Sequence, residues 1–381
     1  MAISAVSAPI AFTVCQPIVE EAEQLERTRV VVWGTGNAGR RALKGVIEHP
    51  ELELVGVHAH SPAKVGKDAS ELAGLTTPTG VLATDDVDAL LDLRPDCIAY
   101  MAMGEFRPKE MTAEVCRILE AGINVVSVSN ASLVYPPSAD RRIVDKLRAA
   151  AERGGTTMLT TGIDPGWSGD VLPLLLTALC ERVDSITVSE VMDYGTYPDA
   201  ELTGWAMGFG RHPDEDIPLF IPGAATGVWS PTVQLVADAL GVELDGFEEE
   251  LEYRLAPETF EVAMGTMAEG TIAAVRFAVR GMRDGRPVIT AVHCNRMRAD
   301  IAPEWPVLTN GKQDGYLIEV VGSPSVTCQI ELADEHGDNN GAGIIGTAMR
   351  AINAIPAVIA APPGLVTPLD LPTICARGLV A

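Results

Sequence analysis

Short apolar runs alternate with amphipathic segments along the first half of the chain, from Arg29 onward. The runs have the length and the β-branched content of buried strands, and the segments between them place apolar residues at helical spacing. Repeated units of this kind predict an α/β fold with a doubly wound parallel sheet. The predicted strands are residues 29–33, 52–60, 96–101, 124–128 and 156–160, and the predicted helices are 37–48, 87–93, one opened by Pro108, and 139–152.

The pattern changes near Gly162, because long runs of alternating apolar and polar residues replace the strand–helix units. Alternation with a period of two is typical of strands with one buried face. Two of these runs join through Asp284-Gly285, a dipeptide that favours a tight hairpin. The second half therefore predicts an α+β domain with a mostly antiparallel sheet, built from residues 184–191, 271–280, 287–298, 316–321 and 326–332, with helices from Ser168 or Asp170 to Cys180 and from Ser230-Pro231 to Gly241.

These patterns divide the chain into four parts. Residues 1–28 are weakly patterned and are predicted to be an N-terminal extension. Residues 29–165 are predicted to form the first domain and residues 166–340 the second. In residues 341–381 a helix of small residues, 341–355, precedes a proline-rich loop, and we expect this segment to return to the first domain.

The first predicted strand runs directly into Gly34, Thr35, Gly36, Asn37, Ala38 and Gly39. In a G-x-G-x-x-G turn of this kind, the first glycine allows the turn, the second lets a pyrophosphate approach the backbone, and the third lets helix and strand pack closely. The phosphates would lie at the helix N-terminus, where N–H groups are free. We therefore predict a Rossmann domain in which these residues bind NAD or NADP; a tight turn without a ligand is the alternative.

The loop after the second strand, which contains His60, Ser61 and Lys64, bears on the choice of cofactor. NAD-specific enzymes place a carboxylate here for the ribose hydroxyls, and none is present. Ser61, Lys64 and Lys67 would instead meet the 2′-phosphate of NADP, with His60 beside them. The alternative is that His58 and His60 merely alternate on one strand and that Lys64 is a solvated loop charge. The six histidines include no helix-spaced pair and no neighbouring cysteines, so we expect no metal site.

Candidate catalytic chemistry lies in the loops after the later strands, because the carboxyl ends of parallel strands meet at one edge of a sheet. Met103 and Glu105 follow the strand that ends at Met101, and we expect them beside the nicotinamide ribose and ring. Glu105 is a candidate general base or stabiliser of a cationic intermediate, with an ordinary exposed glutamate as the alternative. Asn130 follows the next strand and is expected to bind the carboxamide or the substrate, unless it is only a turn residue.

Four further side chains are candidates for a substrate pocket at the junction of the two domains, where pockets tend to form. Asp164 and Trp167 follow the last strand of the first domain. Tyr194 and Trp205 lie in aromatic, glycine-rich stretches of the second. A hinge turn and ordinary core packing are the competing explanations.

Composition narrows the function classes. The chain has 381 residues, 47% of them hydrophobic, and a net charge of −24. This charge argues against nucleic acids and anionic membrane surfaces as partners, since both attract basic proteins. Seven scattered cysteines form no C-x-x-C pair, and positions 1–26 contain no basic residue. Prolines interrupt the apolar residues 351–369. These features favour a cytoplasmic protein without a membrane span.

The sequence resembles the NAD(P)-dependent amine dehydrogenases related to 2,4-diaminopentanoate dehydrogenase, within the group whose N-terminal domain is similar to that of dihydrodipicolinate reductase. The resemblance spans most of the chain from Arg29 onward. The His-Ser-Pro-x-Lys-x-Gly-Lys run that starts at His60 is its most specific part, and the catalytic run of dihydrodipicolinate reductase itself has no counterpart here. The residues that carry the resemblance are 31–39, 54–57, 60–68, 162–166 and 351–356.

The resemblance implies NAD(P)H-dependent reductive amination, in which a small ketone or aldehyde reacts with ammonia, and the reverse oxidative deamination of amines. It implies that Glu105 helps to form and stabilise the iminium, and that residues 166–340 bind substrate and form a homodimer. Few cationic residues lie at the expected pocket wall, so an apolar carbonyl is favoured over a keto acid. A diamine or amino acid dehydrogenase of the same fold and a non-catalytic NADP-binding sensor remain open.

Overall fold

A parallel sheet of seven strands forms the first part of the fold in the computed structural model, which describes residues 27–380. Its strands are β1 (Thr28–Trp33), β2 (Leu52–His58), β3 (Ala83–Thr84), β4 (Cys97–Tyr100), β5 (Asn124–Ser127), β6 (Thr157–Thr160) and, from near the end of the chain, β15 (Gly364–Val366). They lie in the order β15-β6-β5-β4-β1-β2-β3, and all neighbouring pairs are parallel. The predicted doubly wound sheet is therefore confirmed.

Helices cover both faces of this sheet, which explains why its strands read as continuous apolar runs. Val30, Val31 and Val32 are all fully buried, although neighbouring side chains point to opposite faces and so belong to two separate cores. The helices of this part are α1 (Asn37–Glu48), α2 (Ala69–Ala73), α3 (Val87–Asp92), α4 (Pro108–Glu120) and α5 (Arg141–Gly154).

Two boundaries in the first part of the fold differ from the prediction. Residues 1–26 of the predicted extension lie outside the described part of the chain, and Thr28 already belongs to β1. The second strand ends at His58, two residues earlier than predicted. The chain turns immediately afterwards, and the backbone N–H of Lys64 donates to the carbonyl oxygen of Ser61 at 2.8 Å.

A mixed sheet of six strands forms the second part of the fold. Its strands are β7 (Arg182–Asp193), β8 (Gly246–Leu255), β11 (Ile272–Arg283), β12 (Arg286–Arg296), β13 (Gly315–Ser323) and β14 (Val326–Ile330), and β9 (Phe260–Val262) and β10 (Gly265–Met267) form a separate short hairpin. In the order β14-β13-β7-β12-β11-β8, only the β7–β12 pair is parallel. The predicted, mostly antiparallel sheet is confirmed, as is the hairpin at Asp284-Gly285, where both residues have positive φ.

Two helices, α6 (Val171–Thr177) and α7 (Ala224–Ala239), belong to this second part. The predicted start of α7 at Ser230 is wrong, because the helix begins at Ala224 and Pro231 lies inside it. An internal proline removes one backbone hydrogen bond. The turn before it is nevertheless held, because the carboxylate of Glu249 accepts hydrogen bonds from the backbone N–H and the hydroxyl of Thr226, at 3.0 and 2.8 Å.

The end of the chain forms more structure than a helix and a loop. Two helices, α8 (Asn339–Ile352) and α9 (Ile355–Ala360), replace the predicted helix 341–355, and β15 lies within the predicted proline-rich loop. Helix α8 packs on α1. By length and composition Asn339–Ala360 would be long and apolar enough to cross a membrane. Its residues Ala348, Ile352, Ile355 and Val358 are fully buried in the core that also contains Val30 and Val32.

Candidate active site

The glycine turn after β1 combines close packing with open space. Gly34 has a φ of +101°, and a Cβ at Gly39 would lie 2.0 Å from the carbonyl oxygen of Gly34. Neither position therefore accepts a side chain. A Cβ at Gly36 would instead meet no atom within 4 Å. Gly36 is the N-cap of α1, its residue type offers no side-chain cap, and no acidic residue occupies the first helical turn.

These features fit the pyrophosphate of a dinucleotide. Phosphate binds where uncapped N–H groups and the positive end of a helix dipole meet open space. Gly36 lies next to this space, and Asn37 and Ala38 follow it as the first residues of α1, after Thr35. The Nζ of Lys64 donates to the carbonyl oxygen of Thr35 at 2.6 Å, so the loop after β2 is tied to the glycine turn.

The nearest carboxylate after β2 is occupied. Asp68 accepts backbone N–H bonds from Ser70 at 2.8 Å, Thr79 at 3.0 Å and Gly80 at 2.8 Å. Burial opposes ionisation, but these hydrogen bonds outweigh it and hold the pKa of Asp68 well below its usual range. The exposed His60 and Ser61 precede it in the same loop. The end of β2 therefore offers imidazole, hydroxyl and ammonium groups to a ligand.

Glu105 lies in the loop between β4 and α4, at the carboxyl edge of the first sheet. The residue is exposed, and its carboxylate accepts backbone hydrogen bonds from Gly104 at 3.1 Å and from Ala131 at 3.2 Å. Ala131 follows β5, so the carboxylate connects the loops of two neighbouring strands. The strand order reverses between β1 and β4, and open α/β sheets bind ligands beside such a point.

Met103 and Asn130, the other two residues predicted beside the nicotinamide, both shape the loops around Glu105. The carbonyl oxygen of Met103 accepts a hydrogen bond from Nε of Arg107 at 2.9 Å. Asn130 has a left-handed φ of 58°, and its Oδ1 accepts a hydrogen bond from the hydroxyl of Ser132 at 2.8 Å. Asparagine tolerates this conformation well. The turn role that the sequence left open for Asn130 is therefore present in the structure.

The second part of the fold contacts both the glycine turn and the Glu105 loop through a π-helix, Ala200–Ala206. Asp199, at its N-cap, lies 3.5 Å from Nδ2 of Asn37. At the other end, the half-exposed ring of Trp205 meets Phe106 edge to face, with ring centroids 4.7 Å apart. Short π-helical segments are frequent at functional sites. The second part of the fold therefore packs directly against the loop that carries Glu105.

A second cluster of polar side chains is buried where the loop after β6 meets the second sheet. The imidazole of His293 lies between two carboxylates, with Nε2 3.5 Å from Asp164 Oδ1 and Nδ1 3.4 Å from Glu190 Oε1. The His293 side chain is 3% exposed, and its ring stacks on Phe277. Trp229 Nε1 donates to Asp164 Oδ1 at 3.0 Å. We refer to Asp164, Glu190 and His293 as the buried triad.

The charges of the buried triad follow from these contacts. Burial by itself would lower the pKa of His293, but Asp164 and Glu190 outweigh it and raise this pKa to about 10. Burial likewise opposes ionisation of Glu190, yet the hydrogen bonds and the charge of His293 hold the Glu190 pKa below its usual value. These contacts therefore favour an imidazolium between the side chains of Asp164 and Glu190.

The same three residues offer ligand atoms that lie within 4.8 Å of one another, as a metal site would. An imidazolium, however, carries protons on both nitrogens and has no lone pair for a metal. Glu190 also accepts hydrogen bonds from Tyr194 at 2.8 Å, Asn295 at 2.8 Å and Tyr316 at 3.3 Å. Groups of the protein itself therefore already satisfy both carboxylate oxygens of Glu190.

The structure thus brings together two of the four predicted pocket residues, since Tyr194 donates to the same Glu190 that faces His293. Trp205 lies apart from them, beside Phe106. Trp167 is partly buried and packs against the apolar core of the second sheet. Among the residues that the structure describes, Asp164 and Tyr194 are therefore connected through the triad, and Trp205 is connected to the Glu105 loop.

Sequence reasoning missed Glu190, His293 and Trp229. Glu190 occupies an inward-facing position of β7 between the buried Val188 and Met192. A charged residue at such a position is the signal that could have found it, because burial of a charge is costly without a partner. The partner itself, on β12, is adjacent only through the β7–β12 pairing.

Comparisons with known proteins agree with this geometry. Residues 168–378 match a family described as 2,4-diaminopentanoate dehydrogenase C-terminal domain, and residues 28–127 match one described as dihydrodipicolinate reductase, N-terminus. The chain is 40% identical to an amine dehydrogenase from Streptomyces virginiae over 344 residues, which cover 90% of this chain and 95% of that protein.

Two more distant relatives cover a similar share. The 2,4-diaminopentanoate dehydrogenase of Acetoanaerobium sticklandii is 25% identical over 91% of this chain and 94% of its own length. The solved structure of an amine dehydrogenase from Mycobacterium smegmatis shares the fold, with a TM-score of 0.75 and 22% identity over 93% of this chain and 98% of that one. The chain therefore belongs to the family of NAD(P)-dependent amine dehydrogenases related to 2,4-diaminopentanoate dehydrogenase.

Proposed function

We propose that this protein catalyses the NAD(P)H-dependent reductive amination of a small ketone or aldehyde with ammonia, and the reverse oxidative deamination of the amine. The observation that carries this proposal is the carboxylate of Glu105, which the backbone N–H groups of Gly104 and Ala131 hold at the ligand-binding edge of the sheet. A carboxylate there can take a proton from ammonium and stabilise a cation, and the amination requires both.

Glu105 performs the proton transfers in this mechanism. In the overall balance, ketone, ammonium, a hydride and one proton give the protonated amine and water. Glu105 first accepts a proton from ammonium at a carboxylate oxygen, which frees the nitrogen lone pair to attack the carbonyl carbon. The carboxyl group then returns a proton to the hydroxyl of the carbinolamine, and water leaves. The iminium that remains is cationic, and the negative charge of Glu105 stabilises it.

The nicotinamide cofactor, when bound, supplies the hydride for this reaction. The glycine turn would hold its pyrophosphate, through the backbone of Gly34, Thr35, Gly36, Asn37, Ala38 and Gly39. Ser61, Lys64 and His60 would meet a 2′-phosphate, since the first carboxylate after β2, Asp68, is occupied by backbone N–H groups. The ammonium of Lys67, which was also predicted to meet this phosphate, pairs instead with Glu71. We therefore expect NADP to be accepted alongside NAD.

The walls of the cleft favour a small apolar substrate. Phe106 and Trp205 would cover the reacting carbon and exclude water, which protects the iminium from hydrolysis. Asp164, Tyr194 and Trp167 would form the inner wall. The guanidinium of Arg107 is paired with Glu114 and so is not free to bind a substrate carboxylate. A simple ketone is accordingly preferred to an α-keto acid.

We also infer a homodimer in the cytoplasm. Trp229 of α7 packs on the Phe277 side of the second sheet, so the alternating Arg276 and Arg280 point to the opposite face. There they pair with glutamates of β8, with Arg276 2.7 Å from Glu252. A charge-balanced face of this kind can meet a copy of itself. The six cysteines that the structure describes are free thiols, which suits a reducing compartment.

The test is the oxidation of NADH and NADPH with a panel of small ketones and aldehydes, with and without high ammonium. We expect turnover that depends on ammonium, is lost in Glu105→Gln, and is kept in Glu110→Gln, an exposed glutamate of the same region. Ammonium-independent turnover would instead identify a carbonyl reductase. Turnover of α-keto acids in preference to ketones would contradict the apolar pocket.

A further inference from the structure

Arg107 closes the loop that carries Glu105. The backbone N–H of Arg107 donates to the carbonyl oxygen of Gly104 at 3.2 Å, and its Nε donates to the carbonyl oxygen of Met103 at 2.9 Å. Glu105 therefore lies inside a ring formed by residues 103–107. The position of its carboxylate depends on where the guanidinium of Arg107 is held.

The guanidinium is held by two anchors outside the loop. Glu114 of α4 accepts two hydrogen bonds from it, at 2.7 and 3.2 Å. Tyr100 of β4 accepts a third at 3.0 Å, and its own hydroxyl donates to Glu114 at 2.5 Å. Tyr100 is fully buried and stacks on Trp33 of β1, with ring centroids 6.1 Å apart. The two-point pairing and the buried ring make this a rigid support.

The ion pair of Arg107 with Glu114 by itself contributes little to stability. The side chains of Arg107 and Glu114 are 36% and 30% exposed, and accessible ion pairs contribute little to the free energy of unfolding. Misplacing a catalytic group by 1 Å can by contrast cost about 100-fold in rate. The side-chain hydrogen bonds of Arg107 go to Met103, Glu114 and Tyr100, so they fix the loop without engaging the Glu105 carboxylate.

We propose that Arg107 is a positioning residue for Glu105, with Glu114 and Tyr100 as its anchors. This inference rests on the proposed function, in which Glu105 transfers the protons. It assigns no chemistry to Arg107 itself. The guanidinium keeps the ring of residues 103–107 closed, and the closed ring keeps the carboxylate at the edge of the sheet. Substitution of Arg107 therefore lowers turnover and leaves cofactor affinity intact.

The experiment is a double-mutant cycle between Glu105→Gln and Arg107→Met, in which methionine keeps much of the stem and removes the hydrogen-bonding fork. We measure kcat and KM for ammonium-dependent turnover, and the NAD(P)H dissociation constant by fluorescence. Arg107→Met should lower kcat by about 100-fold with cofactor affinity within about twofold of wild type. The double variant should be no slower than Glu105→Gln alone, because Arg107 acts through Glu105.

Two milder variants and one control complete the set. Arg107→Lys should recover only part of the rate, because an ammonium cannot make the two-point pairing with Glu114. Tyr100→Phe keeps the buried ring and loses one anchor bond, so it should lower kcat by about 3- to 10-fold. Arg153→Met removes the exposed pair with Glu120 at the far end of α4 and should retain wild-type kinetics.

The possible outcomes separate the two proposals. If Glu105→Gln is slow but Arg107→Met turns over at the wild-type rate, the positioning role is wrong and the proposed function stands. Losses that multiply in the double variant would also overturn it, since they would mean that Arg107 acts independently of Glu105. Full turnover in Glu105→Gln would overturn the proposed function, and this inference with it.

Discussion

Replacing His293 by glutamine tests the charge of the buried triad. Glutamine has a similar volume and hydrogen-bonding groups but is neutral at every pH. The wild-type imidazole is held between Asp164 and Glu190, which raise its pKa to about 10 in the folded protein. In the unfolded chain its pKa is about 6.5. At a pH between these two pKa values, folding therefore takes up a proton.

The sign and size of the effect follow from this difference. Below about pH 6.5 His293 is protonated in both states, and its full stabilisation is present. As the pH rises toward 10, the folded-state pKa, the free energy of unfolding falls by up to about 1.4 kcal/mol per pH unit. Between about pH 7.5 and 9.5, the free energy of unfolding of wild type should therefore fall by about 2–3 kcal/mol relative to that of His293→Gln. The side chain is 3% exposed, so solvent screening changes this little.

Urea denaturation curves at several pH values measure the difference directly. Subtracting the free energies of unfolding at each pH cancels the groups that titrate alike in the two proteins and leaves His293 together with the carboxylates it contacts. His336→Gln is the matched control, because it makes the same substitution at a side chain that is 79% exposed and lies outside the buried triad. A His293→Gln difference that stays constant from pH 7.5 to 9.5 would mean that the imidazole is neutral in the folded protein, and it would refute the charge reasoning above.

Two further predictions concern the cofactor site. Gly36→Ala should leave the apo-protein's thermal midpoint near that of wild type but weaken NAD(P)H binding at least about 10-fold, because the new Cβ meets no protein atom within 4 Å and enters the pyrophosphate space. Gly39→Ala should destabilise the apo-protein, since its Cβ would lie 2.0 Å from a carbonyl oxygen; unchanged cofactor affinity in Gly36→Ala would contradict this placement. Lys64→Ala should weaken NADPH binding about 10-fold more than NADH binding, whereas Lys67→Ala, whose ammonium pairs with Glu71, should not. Equal losses for both cofactors in Lys64→Ala would argue against a 2′-phosphate contact.

The local chemistry of the first sheet explains why so much of it could be predicted. The glycine turn between β1 and α1 needs particular residue types, and Val30 to Val32 read as buried because both faces of a parallel strand are covered. Glu105 could be proposed because its loop follows a recognisable strand. The hydrogen bond from Ala131 that holds its carboxylate depends on the pairing of β4 with β5 and is invisible in sequence.

In the second part of the fold, contacts between residues distant in the sequence could not be predicted. The predicted start of α7 was wrong because a proline is common in the first turn of a helix. The residue that holds the actual first turn, Glu249, lies far along the chain on β8. Glu190 and His293 were missed because each depends on a partner that is distant in the sequence. They are over one hundred residues apart, and each makes sense as a buried charge only beside the other.

The pairing of β15 with β6 has a consequence for how the protein is made. The hydroxyl of Thr157 donates to the carbonyl oxygen of Ala361, a contact that spans 204 residues. A ribosome adding about 5–20 residues per second needs roughly 10–40 s to synthesise that interval. During this time β6 is the edge strand of an unfinished sheet, and the core that α8 and α9 will fill is open to water. We therefore expect the nascent chain to need protection until its last residues emerge, and a gene truncated after the second sheet to yield an aggregating product.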